Sequence, residues 1–442
     1  MSDPGDPERN RLSARIGRVA QVGANLSGAA AARMFGGEDR FARALKEALG
    51  KSKGPLMKLA QLLATIPDLL PEAYAKELRT LQAQAPAMGW PFVERRMRAE
   101  LGADWQKRFS SFGREAAAAS LGQVHRARLP DGREAACKLQ YPDMASAVEA
   151  DLGQLRTLLS VVKSLDGALD SSEAIIEVGD RLREELDYVR ELKHMRLFTL
   201  MLRDEPRIVT PEPIEALSTR RLLTMTWLEG QGLMAWLGAD QETRNRIADL
   251  IFTAWWGPMT RFGVIHGDPH LGNYAFAPGA AQLNLLDFGC VRIFPPRFVA
   301  GVVNLYNALR RDDREGIAAA YESWGFKNLN GELIEALTIW ARFIYGPLLD
   351  ERERTIADDV APAEYGRREM MEVRRRLKTL GPVLVPREFV FMDRAALGLG
   401  GAFLHLKAKR NFARLFQDSI ADFSEAALAA RQREALAATG LG

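Results

Sequence analysis

Two short segments carry the residue types that phosphoryl transfer needs. The first reads His266-Gly267-Asp268-Pro269-His270-Leu271-Gly272-Asn273, the second Leu283-Asn284-Leu285-Leu286-Asp287-Phe288-Gly289. Moving a phosphoryl group from a nucleotide asks little covalent work of a protein. It asks for Mg²⁺ to neutralise the phosphates, oxygen ligands for that metal, and a group to orient the acceptor. Asp268 suits the orienting base, and Asn273 with Asp287 suits the metal. A tripeptide such as Asp287-Phe288-Gly289 arises by chance, but both segments in this order, with an apolar strand leading into the second, point to one chemistry. Two plainer readings compete. The acids could be ordinary loop carboxylates, or His266, Asp268 and His270 could form a metal site, against which Pro269 argues by interrupting a regular strand.

Such a centre also needs a cation on the α- and β-phosphates, held in turn by a helix carboxylate. Glu134-Ala135-Ala136-Cys137-Lys138-Leu139 has the position and pattern of the V-A-I-K strand of protein kinases. Lys138 would be the cation, and Ala136 would leave room for the adenine. Its partner candidates are Glu184, Glu185, Asp187 and Glu191, in a charged run that otherwise reads as a solvated helix face with pairs such as Arg181–Glu185. The kinase pattern fails ahead of this strand, where Ala116-Ala117-Ala118-Ala119-Ser120-Leu121-Gly122 replaces G-x-G-x-x-G. Glycines let backbone N–H groups approach phosphates at positive φ, and alanines do so only at a cost. The alanine run is either helical filler or a stiffened phosphate loop.

The elements that must position these groups are partly legible. Leu121–Leu129 and Glu134–Gln140 flank Pro130-Asp131-Gly132 and predict a β-hairpin. One long amphipathic helix is expected over Ser172–Leu202, stopped by Pro206, Pro211 and Pro213, with a β-rich run at Arg221–Trp227. From Gln241 the pattern is mostly helical, except for a loop-and-strand island at Gly263–Arg292. Nearer the N-terminus, residues 11–50 suggest short Arg/Ala helices. A firmer helix starts at Gly54-Pro55, with proline at the first helical position, and others start near Pro71 and Trp90-Pro91.

The 442 residues exceed the usual size of one domain, so at least two packed units are expected. A net charge of +3, 47% apolar and 26% charged residues exclude a disordered, collagen-like or disulfide-rich chain and do not advertise a nucleic-acid binder. Cys137 and Cys290 lie far apart, and five histidines are too few to favour a zinc site; the cysteine usage suggests a reducing compartment. The longest apolar stretches, Leu250–Met259 and Ala395–Leu404, fall short of the roughly 18–20 residues that span a bilayer. Acids and prolines in the first ten residues argue against a signal or transit peptide. Candidates for peripheral membrane contact are the Arg/Ala N-terminus and Trp255-Trp256, although paired tryptophans on a helix are more often core.

Taken together, the motifs resemble the UbiB/AarF family of atypical kinases, from about Gly54 to about Phe416. The resemblance implies an α+β, two-lobed protein-kinase-like fold: a small antiparallel β-sheet N-lobe, a helical C-lobe and an N-terminal helical extension packed on the N-lobe. It divides the chain into 1–53, an extension at 54–112, an N-lobe at 113–230 and a C-lobe at 231–442. The family's K-x-G-Q helix is matched by Lys58-Leu59-Ala60-Gln61, with Ala60 in place of its glycine, and its E-x-D motif by Glu185-Leu186-Asp187. The tail Phe389–Phe416, with Asp393-Arg394 and Lys407–Arg410, also has the family's look. By the same resemblance Lys138 pairs with Glu191, and Lys58 and Gln61 meet Glu185 and Asp187. On one regular helix Glu185 and Glu191 would point about 120° apart and so could serve different partners. ATP and Mg²⁺ are the implied cofactors. Ala117, Ala118, Ala119, Ser120, Ala136, Lys138, Met225 and Trp227 would line the nucleotide, Asp268 would be catalytic, and Asn273 and Asp287 would bind metal. The implied role is a kinase or ATPase supporting ubiquinone or related isoprenoid-lipid biosynthesis, with a lipid or quinone-precursor ligand and quinone-biosynthesis proteins as candidate partners. The implied location is cytoplasmic, with peripheral contact at the inner membrane face as an option. A conventional phosphotransferase, or a nucleotide-dependent scaffold without catalysis, is the alternative.

Overall fold

The structure is a computed structural model that describes residues 87–119, 121–150, 152–153, 179–180, 182–327, 329–357, 367–380 and 386–442. The expected helices over 11–86, with Lys58 and Gln61, lie outside the described residues, as does Ser120. The chain divides into two compact units, one holding the residues up to Leu192 with Pro213–Trp227, the other Lys193–Glu212 with Leu228–Gly442. Each is mixed α and β.

In the first unit, helix α1 (Trp90–Leu101) precedes strands β1 (Ser111–Ala118), β2 (Gly122–Arg128) and β3 (Glu134–Gln140). The predicted hairpin is β2–β3, paired from Gly122↔Gln140 to Arg128↔Glu134. Gly132 sits at φ +89 in its turn, a conformation that residues with a Cβ rarely adopt, and Asp131 accepts from the Arg133 amide. The chain then enters α2 (Tyr188–Met201), passes β4 (Ile208–Val209) and returns to add β5 (Leu222–Thr226). The antiparallel sheet runs β1-β2-β3-β5. Its apolar face packs Leu121, Ala127 and Leu139 against Phe92, Val93 and Met97 of α1, with Trp105 buried beside Phe112 at 5.3 Å in an edge-to-face contact.

A polar clamp ties β2 to the segment before α1. The Gln123 side chain accepts from the Met88 amide at 2.7 Å and donates to the Met88 carbonyl at 3.1 Å. Its second N–H points at His125 Nε2, 2.8 Å away, which leaves His125 Nδ1–H to donate to the Gly113 carbonyl at 2.8 Å. Both side chains are buried, so each polar atom needs the partner it has.

The expected single helix over Ser172–Leu202 is corrected by the structure. A helical turn at 182–185 stops at Leu186-Asp187, and α2 begins afresh at Tyr188. Asp187 is the reason: its carboxylate accepts from the Arg190 amide at 3.0 Å, an N-cap bond inside a run that lacks glycine or proline. The 120° relation between Glu185 and Glu191 assumed one unbroken helix, and it does not apply across this break.

The second unit carries a sheet ordered β4-β9-β8-β6, from β6 (Gln231–Gly232), β8 (Tyr274–Phe276) and β9 (Leu283–Leu285), and a pair β7 (Val264–His266) with β10 (Val291–Ile293). Helix α3 (Gln241–Phe262) opens on Asp240, which accepts from the Thr243 amide, and closes on Gly263 at φ +67. After it come α4 (Pro296–Arg311), α5 (Arg314–Ser323), α6 (Gly331–Leu349), α7 (Arg367–Leu380), α8 (Arg387–Leu406), α9 (Phe412–Ile420) and α10 (Glu425–Thr439), of which α8, α9 and α10 pack on α3, α5 on α4 and α7 on α6. Trp255 and Trp256 are core and not a membrane-facing pair. They are 2% and 7% exposed, and Trp256 meets Phe416 edge-on at 4.6 Å. Among the described residues, no helix is long and apolar enough to cross a membrane.

Candidate functional site

Lys138 lies mid-strand on β3, and its ammonium donates to both Glu191 carboxylate oxygens, at 2.8 and 3.0 Å. Of the four acids left open by the residue pattern, Glu191 is the one the structure brings to the lysine. It sits one turn into α2, and the side chains are 13% and 2% exposed. A pair this withdrawn from water holds together only because each charge offsets the desolvation of the other. The Lys138 ammonium also stands 5.3 Å from the Tyr188 ring centroid, an aromatic contact that the sequence motifs did not single out. Tyr188 also crowds Gly122, where a Cβ would lie 3.1 Å from the tyrosine oxygen and strike the Leu139 carbonyl.

The alanine run is neither a helix nor wholly a loop. Ala116, Ala117 and Ala118 pair in β1 with His125, Val124 and Gln123, and the Ala119 amide donates to the Gly122 carbonyl at 2.9 Å. The run is a strand end entering a tight turn, on the sheet that bears Lys138. On the other side of β3, Ala136 pairs with Met225 of β5, both 7% exposed. The Trp227 amide extends that register by donating to the Glu134 carbonyl, and its ring carries the Arg126 guanidinium at 4.8 Å. Glu185 and Asp187 are half-buried, and Asp187 is engaged as the cap of α2.

In the second unit, the two motif segments converge. Asn273 ends a short 3-10 turn and donates its side-chain amide to the Asp268 carbonyl at 2.9 Å and to the Asp268 carboxylate at 3.4 Å. With its nitrogen committed there, the Asn273 side-chain oxygen is the end left for a cation. The Leu286 amide donates to the Asn273 carbonyl at 3.1 Å, which ties this turn to the chain just before Asp287. Asp287 Oδ1 accepts from the Gly289 amide at 2.9 Å. A carboxylate and an amide oxygen are hard donors of the kind Mg²⁺ prefers, so Asn273 and Asp287 fit that ion. His270 is spent on a cap, its Nδ1 accepting from the Gly272 amide. The alternative site of His266, Asp268 and His270 therefore loses that ring nitrogen.

The supporting groups are less visible in sequence. His266 Nε2 hydrogen-bonds the Asp287 carbonyl, and His194 Nδ1 bonds the Phe288 carbonyl at 3.1 Å. Phe288 itself is fully buried, 5.3 Å from the Phe198 ring. Burial, reinforced by the charge of Asp268, pushes the Tyr274 phenol far above its usual value, so it stays neutral beside the site. Helix α8 approaches closely at Gly398, where a Cβ would stand 2.5 Å from the Pro269 ring.

These two arrangements, a strand lysine on a helix glutamate and an aspartate–asparagine–aspartate set, belong with a family match. Residues 80–321 match the ABC1 atypical kinase-like domain, and the chain belongs to that family, the UbiB/AarF atypical kinases. It is 33% identical over 274 residues to the mitochondrial atypical kinase COQ8 of Saccharomyces cerevisiae, covering 62% of this chain and 54% of that protein. It is 30% identical over 297 residues to AarF domain-containing protein kinase 1 of Mus musculus, covering 66% and 57%. The chain thus spans about half the length of the curated relatives it matches. A solved structure of Rv3197 with erythromycin from Mycobacterium tuberculosis matches with a TM-score of 0.59 at 25% identity, over 91% of this chain and 98% of that one.

Proposed function

We propose that this protein binds Mg-ATP and acts as a UbiB-type kinase or ATPase that supports ubiquinone or related isoprenoid-lipid biosynthesis. The observation that carries the reading is the Asp268–Asn273 pair, locked by its own hydrogen bonds and tied through Leu286 to the segment ending in Asp287. In the proposed roles, Asp268 orients the acceptor, and Asn273 and Asp287 hold the metal, which neutralises charge on the phosphates. Lys138, fixed by Glu191, takes the α- and β-phosphates, and the alanine turn with Ala136, Met225 and Trp227 lines the nucleotide. The extension residues Lys58 and Gln61 would meet Glu185 and Asp187 and limit access by protein substrates. Family membership supports the kinase-like assignment, and the likeness to COQ8 supports the quinone pathway. Candidate partners are therefore a lipid or quinone precursor and quinone-biosynthesis proteins, met at the membrane surface.

The purified protein should bind and hydrolyse ATP in a Mg²⁺-dependent manner, and Asp287→Asn should remove the hydrolysis. Absence of nucleotide binding at millimolar ATP would overturn the reading. Quinone profiling in a deletion strain tests the pathway: loss restored by the native chain but not by Asp287→Asn is the expected outcome.

A further inference from the structure

Lys138 has a second neighbour besides Glu191, and it comes from the same turn of α2, within the first unit. The ring of Tyr188 stands with its centroid 5.3 Å from the Lys138 ammonium, and the tyrosine is 1% exposed. Residues three apart share a helix face, so the first turn of α2 presents a carboxylate and an aromatic ring to one cation. That turn is held independently of the lysine. Asp187 caps it through the Arg190 amide at 3.0 Å, and the Gln140 side chain donates to the Leu186 carbonyl at 3.1 Å. Gln140 and Lys138 are alternate residues of β3, so their side chains leave the same face of the strand, and Tyr188 lies in the short run between their partners Leu186 and Glu191. The tyrosine also adjoins the alanine turn. Its hydroxyl oxygen is 3.1 Å from where a Cβ on Gly122 would stand, and the Gly122 carbonyl accepts from the Ala119 amide at 2.9 Å.

An ammonium has three N–H donors, and a phosphate that approaches Lys138 must compete with the Glu191 carboxylate for them. An aromatic face attracts the same charge through its quadrupole and takes no oxygen-type hydrogen bond from it. The ring can therefore keep hold of the ammonium while phosphate oxygens draw it partly away from Glu191. Burial strengthens that hold, because little water is left to screen it. We propose that Tyr188 is a positioning residue for the nucleotide, its ring holding the Lys138 ammonium where the α- and β-phosphates arrive. The inference rests on the Mg-ATP reading above and extends it to a side chain that makes no contact with the reacting atoms itself.

Nucleotide titrations of the full-length protein with Mg²⁺ test it. Tyr188→Phe, the conservative variant, keeps an electron-rich ring face and should bind ATP within about twofold of the native chain. Replacing Tyr188 by pentafluorophenylalanine keeps nearly the shape of phenylalanine but reverses the polarity of the ring face. ATP and ADP should then each bind about fivefold more weakly than to Tyr188→Phe, the loss expected for a partly desolvated cation–π contact. Adenosine, which brings no phosphate to the lysine, should bind the native chain and both variants equally. Unchanged ATP affinity in the fluorinated protein, or an equal loss in Tyr188→Phe, overturns the proposal. So does a parallel loss for adenosine, which would make the ring a structural support only. Should the pentafluorinated protein fail to fold, 3,5-difluorophenylalanine at the same position decides, with a smaller loss in the same direction expected. A folded native chain that binds no ATP sinks the Mg-ATP reading and this role with it, whereas native binding that the fluorinated ring leaves untouched sinks the role of Tyr188 alone.

Discussion

Lys138 and Glu191 are unequally withdrawn from water, 13% against 2% exposed, and the two single substitutions should differ for that reason. Lys138→Met strands the deeper charge, so it should lower the melting temperature more than Glu191→Gln does. Removing one partner of a well-buried pair costs about 3–5 kcal/mol, an upper figure here because the lysine keeps some solvent. The double variant Lys138→Met/Glu191→Leu should recover most of the lost stability and none of the nucleotide affinity. Calorimetry with ATP titration separates the two, and recovered affinity would show that the pair is only structural. At this scale much was legible beforehand. Lys138, Asp268, Asn273 and Asp287 are fixed by short-range patterns that chemistry makes rare. Choosing Glu191 among four acids rested on the family resemblance, because charge alone does not say which acid faces a strand 53 positions away.

The hairpin β1–β2 is held by a relay that works only with His125 neutral. Burial pushes His125 below its ordinary 6.5, against a smaller opposing effect of the Gly113 carbonyl. The sign follows: below 6.5 the unfolded chain takes up a proton that the folded ring refuses, so stability rises with pH across this range. It is fully present above 6.5 and lost as pH falls toward the depressed folded value. The native protein should therefore lose melting temperature between pH 7.5 and 5.5, and His125→Asn should flatten that slope. An unchanged slope would place the titration elsewhere. The hairpin β2–β3 was readable from its turn residues, but the break before α2 was not foreseen. Residues 181–186 are all good helix formers, and the signal for a break was Asp187, a residue that favours N-caps.

Long-range contacts decide what sequence periodicity leaves open across the molecule. Arg410, on the segment after α8, exchanges main-chain bonds with Arg354 at 3.0 and 3.1 Å and reaches Asp249 of α3 at 2.7 Å. Burial lifts Asp249 above its usual carboxylate value, with Arg410 pulling the other way. Without that guanidinium the half-buried carboxylate keeps only the smaller pull of Arg207, and it is left ionised at neutral pH and protonated in acid. Arg410→Ala should thus lower the melting temperature at pH 7.5, and its deficit against the native protein should shrink toward pH 4.5. A constant deficit would mean that packing, not charge, is lost. Nothing in the sequence paired these positions, just as nothing marked Trp255 and Trp256 as core except the bland expectation for tryptophans on a helix.

The approach of Gly398 to Pro269 bears on how such chains can be recombined. A hybrid that takes its catalytic loop from one relative and its late helix from another inherits two halves of a steric fit. Any donor with a side chain at the glycine position would shove the loop aside before a single reacting group had been altered. Crossovers that keep both segments from one parent should yield active hybrids far more often than crossovers that fall between them.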